Sequence, residues 1–542
     1  MPLILDFHRY ISAFSEFIIV KYLRCNPKFL LRIFLCFLLS AAFFIHPGCS
    51  KSELKNKNFL VIGMENSPTN LDPRFALDLA STQVIQLIFN SLLTFDINGN
   101  LIADLAEKWE IFNNTEYIFY LKKGVRFHDG LEMTSNDVKF TYDFVLNPKN
   151  QSPKIGGLEK LKRIEIIDKY TIKFVLSEVF GPFLSNLTLP IVPGHIVEKV
   201  GDSFTKHPIG TGPFKFNLFD INDQIVLKAN KDYFNDPPRL NGIIFKILPD
   251  ETVRLLELEK GNVQLLQNAI SPDILPRLKK NNRLKIIKRP GTNYSYIGFN
   301  LKDPILKNQM VREAIATGID RDSIIEHILK NLATKASFML SPFNWAYEAM
   351  VKTYQYDPKI AKKLLDKAGY PDPDGDGPEP RFTLSYKTSQ NELRKLIAEV
   401  FQEQLREIGI KIIIKSYEWG TFFSDIKSGN FQIYSLTWVG INDPDIFHYT
   451  FHSESYPPKG ANRGKYSNKD IDELIDKGRK EINIEDRKKT YSLIQKKLAK
   501  EIPYVSLWFA TNIAVMLKEV EGFQLYPDES LYSIKNVYFK LR

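Results

Sequence analysis

The segment from Tyr356 to Tyr417 constrains the fold more than any other. "YDPKIAKKLLDKAGY" (356–370) places Asp357 as an N-cap, Pro358 in the first turn and Gly369 as the stop of a helix. "RFTLSYK" (381–387) reads as a strand, "NELRKLIAEVFQEQLREIG" (391–409) as an amphipathic helix closed by Gly409, and "IKIIIKSY" (410–417) as a second strand. Strands joined through a crossover of that length pair in parallel, since an antiparallel pair needs only a tight turn. The unit is βαβ, and the chain is expected to be an α/β protein.

At 542 residues the chain exceeds what one core can organise, so two or three domains are expected. "FLVIGM" (59–64) reads as a short buried strand, and "STQVIQLIFNSLLTF" (81–95) has helical spacing with Ser81 or Thr82 as its cap. "TEYIFYLKKGVRFHDG" (115–130) alternates as a strand and ends in a turn. Thr134 with Asp137 three residues on forms a variant of the capping box. No low-complexity linker divides the chain, so its domains are expected to exchange segments. Aromatic residues make up 13% of the chain, which suits large cores and a cleft with aromatic walls.

"IFLCFLLSAAFFI" (33–45) is an apolar run preceded by Lys21, Arg24, Lys28 and Arg32. It is short for a bilayer span and fits the hydrophobic region of a signal peptide. Gly48 and Cys49 follow, and none of the three cysteines lies beyond Cys49. The arrangement resembles a bacterial lipoprotein signal, although His46 stands where such signals carry Leu or a similar residue. The expectation is a leader over 1–48, lipidation of Cys49 and a tether over 49–57. A plain secretory leader is the alternative. A cysteine-free remainder suits an oxidising compartment, with the protein held in the cell envelope, facing the periplasm or the surface.

The formal net charge is +10, of which the leader supplies +3. The remaining charge is spread with both signs mixed and no recognisable nucleic-acid motif, so no nucleic-acid partner is expected. "PDPDGDGPEP" (371–380) imitates a calcium loop through Asp372, Asp374 and Asp376. The position that requires a bidentate Glu is Thr383, so the segment reads as a surface turn. His448 and His452 share a helix face without an apparent third ligand, which favours a structural role. His128 and Asp129 in "FHDG" read as a turn, with no nucleophile in view. "GTG" (210–212) lacks the third glycine of a dinucleotide fingerprint, and no Walker loop, GxSxG or HExxH occurs. Neither enzyme chemistry, cofactor nor metal is expected.

Several strings occur in order from about residue 58 to the C-terminus. They are "NLDPRF" at 70, "LIFNSLLTFDINGNLIADLAEKWEI" at 87, "YIFYLKKGVRFHDGLEMTSNDVKFTYDF" at 117, "IGTGPFKF" at 209 and "NKDYFNDPPRLNGIIFKILPD" at 230. "MVREAIATGIDRDSII" at 310, "AKKLLDKAGY" at 361 and "TWVGINDPDIF" at 437 complete the set. Together they resemble the family 5 extracellular solute-binding proteins, the oligopeptide and dipeptide receptors of ABC importers. The resemblance implies a type II periplasmic-binding-protein fold: two α/β lobes with a hinge, plus an extra inserted domain. It places lobe I at 58–91, 181–288 and 506–542, the inserted domain at 92–180, and lobe III at 289–505. Crossings are expected near "RPGTNYSYIGFNL" (289–301) and "EIPYVSLWF" (501–509).

The resemblance further implies a monomeric, membrane-anchored receptor that closes on an oligopeptide and delivers it to an inner-membrane ABC permease. Peptide-binding members carry an Asp three residues after the Trp of "TWVGINDPDIF", paired with the peptide's α-amino group; here that residue is Ile441. Asp443 is the substitute anchor, although with Pro444 and Asp445 it also completes a helix cap without a ligand. Trp438, Gly440, Ile441 and Asp443 are thus expected along one wall, and Ala76, Leu77 and Asp78 along another. Tyr294 and Tyr296 are expected at the hinge, where strand alternation alternatively buries one of them as core. The missing Asp leaves open a non-peptide ligand: a metal chelate, haem, an opine or a sugar-like molecule. An exported hydrolase and a signalling lipoprotein are the readings from other classes.

Overall fold

The computed structural model describes residues 58–221, 223–375 and 377–540. The leader, Cys49, the tether and Asp376 lie outside the described residues. Among these residues no helix is long and apolar enough to cross a membrane.

The βαβ unit forms as its residues dictate. Asp357 accepts a hydrogen bond from the Ile360 N–H and caps the helix Pro358–Lys367; Asn391 caps Glu392–Arg406 in the same way. Gly369 and Gly409, both at positive φ, end the two helices. Phe382–Ser389 then pairs in parallel with Ile410–Tyr417 on one side and Ile433–Trp438 on the other. These three strands are one end of an eleven-stranded sheet. At the other end Phe59–Met64 lies parallel between Gly242–Ile247 and Leu265–Gln267, and two antiparallel strands, Gln224–Ala229 and Phe214–Asp220, complete the edge.

Two long antiparallel strands, Leu284–Phe299 and Tyr504–Leu517, join the two parallel blocks. Each begins in the core of one block and ends in that of the other. Ile513 to Leu517 pack with the Phe59–Met64 block, whereas Val505 and Leu507 pack with the βαβ unit. The first strand bulges where it crosses: Pro290 faces Thr511 and Tyr294 faces Phe509, so Gly291 to Asn293 oppose Ala510 alone. Gly291 is required there, since a Cβ would lie 2.5 Å from the Ala510 carbonyl oxygen. The bulge turns Thr292 and Asn293 towards the segment 526–530, and the Thr292 N–H donates to the Pro527 carbonyl at 3.0 Å.

A separate four-stranded antiparallel sheet is built from Ala106–Phe112, Glu116–Leu121, Thr171–Leu176 and Leu161–Asp168. Glu116–Leu121 alternates half-buried and buried as its sequence predicts. The helix Ser135–Leu146 covers this sheet and carries the capping box of Thr134 and Asp137. These elements enclose a core of their own, including Tyr117, Phe119, Tyr142 and Phe174. A β-bridge between Ser91 and Pro190 brings together the points where the chain leaves the main body and returns.

One helix boundary differs from expectation. The helix runs over Leu79–Ile88 and is capped by Asp78, not by Ser81 or Thr82. The Asp78 carboxylate accepts from the Ser81 N–H at 2.8 Å and the Ser81 hydroxyl at 2.6 Å, and Ser81 is itself buried.

Candidate ligand-binding cleft

In open α/β sheets, ligands bind beyond the carboxyl ends of parallel strands, where side chains from several strands converge. The two parallel blocks bring such ends to a shared cavity. Asn268, one residue past Leu265–Gln267, lines a cavity of about 380 Å³ together with Asn391 and Arg394, just past Phe382–Ser389, and Thr437 near the end of Ile433–Trp438. Ser295, Asn512 and Glu529 also line it. A second cavity, of about 620 Å³, is bounded by the 73–95 segment, by the 185–190 segment, and by Val439, Gly440 and Asn442. Lys154 and Asp528 line it as well. Burial pushes the Lys154 ammonium down and the Asp528 carboxyl up from their usual ranges.

Arg394 is the main cation of the smaller cavity. It donates to the Ser389 hydroxyl at 3.4 Å and lies 5.4 Å from the Trp419 ring, and Tyr386 and Glu65 are near enough to act on its charge. No carboxylate among the described residues forms an ion pair with it. Burial lowers the guanidinium from its usual range, which marks a desolvated charge available to an acidic group.

The residues expected along the walls divide. Ala76, Leu77 and Gly440 line the larger cavity, with Leu77 71% exposed at its edge and Gly440 at φ +69°. Asp78 is occupied as the helix cap and lines neither cavity. Ile441 is buried in core. Trp438 is half-buried, stacked 6.4 Å from Tyr296, with the Arg463 guanidinium 5.1 Å from its ring. Tyr294 and Tyr296 are both in the core and stacked at 5.8 Å; the Tyr294 hydroxyl is paired with Ser506. Residues two apart share a strand face, so both tyrosines go inward and Ser295 between them reaches the cavity.

Asp443 is already engaged by three groups of the protein. Its carboxylate accepts from the Asp445 N–H at 2.9 Å, the Ser185 hydroxyl at 3.0 Å and the Arg487 guanidinium at 3.2 Å. The helix itself begins one residue past Asp445, at Ile446. Asp445 lies 2.9 Å from Arg479, off the line of its N–H bond, and Arg479 also bridges to Glu159 at 3.0 Å. Burial pushes the Asp445 carboxyl up to about 6, against the pull of Arg479. These groups tie the helices at 446–501 to the segment 159–185.

The histidine pair has a third neighbour that the sequence did not reveal. Asp476 lies 3.6 Å from His452 Nε2, and His448, His452 and Asp476 are close enough to share an ion. The Glu454 N–H donates to His452 Nδ1 at 3.2 Å. That bond keeps the proton of the neutral ring on Nε2, facing the carboxylates, which favours a helix-end role over a ligand set. His128 is also structural: Nε2 donates to the Gly212 carbonyl and Nδ1 accepts from the Gly210 N–H, joining two turns. Asp372 accepts from the backbone of Asp374 and Gly375, so the acidic segment forms a turn.

Two lobes built on parallel strands, joined by a pair of crossing strands and carrying an extra antiparallel domain, define a three-domain type II periplasmic-binding fold. Residues 100–457 match the family model described as bacterial extracellular solute-binding proteins, family 5 Middle. The chain belongs to that family, whose members bind solutes and are not enzymes. It is 33% identical over 498 residues to the oligopeptide-binding protein AppA of Bacillus subtilis, covering 88% of this chain and 90% of that protein. The structure of AppA in complex with a nonapeptide superposes with a TM-score of 0.79, covering 89% of this chain and 99% of that one. NikZ of Campylobacter jejuni in complex with Ni(L-His) gives a TM-score of 0.80 at 28% identity, over 89% and 99% of the two chains. The chain is also 27% identical to heme-binding protein A of Haemophilus influenzae, over 90% and 96% of the two.

Proposed function

We propose that this protein captures oligopeptides in the cleft between its two α/β lobes and delivers them to an ABC permease. The observation that carries the reading is the cavity where the carboxyl ends of both parallel blocks meet. It combines Arg394, desolvated and without an ion pair, with hydroxyl and amide groups from both lobes. A guanidinium fork matches a peptide carboxylate, and the polar walls suit backbone groups of varied peptides. The neighbouring cavity, with Leu77 at its edge and Gly440 in its lining, supplies room for side chains. Similarity to a receptor solved with a nonapeptide supports the same class of ligand.

Cys49 is the proposed lipid attachment site, the protein acts as a monomer in the cell envelope, and the lobes exchange segments near 91, 289 and 505 and again near 190, later than the expected 180. A second reading keeps the fold and replaces the peptide with a metal chelate, haem or opine-like ligand. What favours it is that Ile441 is apolar and buried and that Asp443 is already paired with Arg487. Thermal-shift titration against a peptide pool, with mass spectrometry of co-purified ligand, tests both. Peptides that co-purify and stabilise the protein are expected; recovery of only non-peptide material with no peptide shift would overturn the first reading.

A further inference from the structure

The wall opposite the βαβ unit holds a carboxylate that no cation neutralises. Glu529 lines the smaller cavity and retains only 7% exposure. Its backbone is in the left-handed region, at φ +67°, which a non-glycine residue adopts at a cost only where its surroundings demand it. Those surroundings come from three elements. Gln83 and Gln267 donate their side-chain N–H groups to the Glu529 carbonyl at 3.1 and 2.8 Å. Asn293, turned inward by the strand bulge, donates to the carboxylate, and Asn268 hydrogen-bonds to it as well. No Lys or Arg among the described residues pairs with it.

The amides that hold Glu529 leave acceptors over. Gln267 Oε1 and Asn293 Oδ1 are both buried and accept no hydrogen bond from any described group. Their orientation is fixed, because the N–H side of each amide is already committed to Glu529. A buried acceptor without a donor is costly, and here both belong to amides that hold Glu529, one at its backbone carbonyl and one at its carboxylate, which has no counter-charge. The chemistry missing from this cluster is a cation with several N–H donors.

We infer that Glu529 forms an ammonium subsite on the wall of the cleft facing the βαβ unit, taking the α-amino group of the bound ligand, and that the amides of Asn293 and Gln267 hold it in place. A protonated amine brings the positive charge that this carboxylate lacks, together with N–H donors for its oxygens. With Arg394 lining the same cavity, the ligand class is one carrying both an ammonium and an acidic group. The inference rests on the peptide reading and explains how the site dispenses with an acid at Ile441.

The test compares wild type with E529Q, which retains the Oε1 acceptor for Asn293 and removes the charge. Calorimetric titration uses tri-, tetra- and penta-alanine and their N-acetylated forms. Wild type is expected to bind the free peptides at least about tenfold more tightly than the acetylated ones, the scale of a charged hydrogen bond. E529Q is expected to lose that preference and keep its affinity for the acetylated forms. An unchanged preference in E529Q would overturn the subsite and indicate that the orphan oxygens bind only water. If no peptide binds wild type, the peptide reading fails, and n-propylammonium chloride then tests the subsite alone. Stabilisation of wild type but not of E529Q upholds it; equal shifts, or none, overturn it.

Discussion

At the scale of single residues, pairing state separates structure from recognition. Asp443 and Arg487 are both largely buried, and each satisfies the other. Removing one partner leaves an uncompensated charge, so Asp443→Ala is expected to cost about 3 kcal/mol in chemical denaturation. A ligand anchor would instead lose affinity with little change in stability. His128 supplies a pH signature. Burial lowers its pKa from 6.5 to about 4, and the Gly210 N–H at Nδ1 opposes a second proton. The unfolded chain therefore binds more protons than the native one between those values, and stability falls as pH drops from about 6.5 to about 4. His448, lowered to about 3 chiefly by burial, adds to the same slope, whereas Asp445, raised to about 6, works against it. Subtracting the thermal-melting profile of His128→Gln from that of wild type isolates the His128 component, whose slope with pH should vanish above about pH 7.

At the scale of elements, the cap at Asp78 decides how the edge of the larger cavity is held. Asp78→Ala is expected to destabilise the protein by about 1 kcal/mol, the usual worth of an N-cap, and to leave ligand affinity unchanged. A drop in affinity without loss of stability would return Asp78 to the binding wall. Elements with complete local chemistry were legible in the sequence: Asp357 with Pro358 and Gly369, Asn391 with Gly409, Thr134 with Asp137. The start of the helix at Leu79 was not, because the hydroxyl residues at 81 and 82 compete with Asp78 as caps, and only the folded structure, in which Ser81 is buried and bonded to Asp78, gives the role to Asp78. The cleft was legible in its family strings but not in its charges. Arg394 and Glu529 are 135 positions apart, and neither carries a local motif. Tyr294 and Tyr296 face the core because a central strand is covered on both sides, so alternation alone does not say which face is the site.

At the scale of the whole molecule, closure depends on contacts between domains as well as on the ligand. Glu159 and Arg479 join the antiparallel domain to the lobe that carries the βαβ unit, and Ser185 with Asp443 adds a second tie. Glu159 is 44% exposed, so its bridge is weak alone but acts only while the two bodies are together. Glu159→Ala is expected to weaken ligand binding about two- to fivefold through faster release, the scale of a partly exposed pair, with unchanged melting of the ligand-free protein. Stopped-flow release measured beside calorimetry checks this; an unchanged release rate would confine the bridge to surface decoration. The Ser91–Pro190 bridge bears on ancestry instead. The segment between them departs and returns at adjoining points, with a core of its own. In genetic terms it is a cassette: recombination at one locus could add or delete it without rerouting any strand of the main sheet, so receptors with and without it can share a single line of descent.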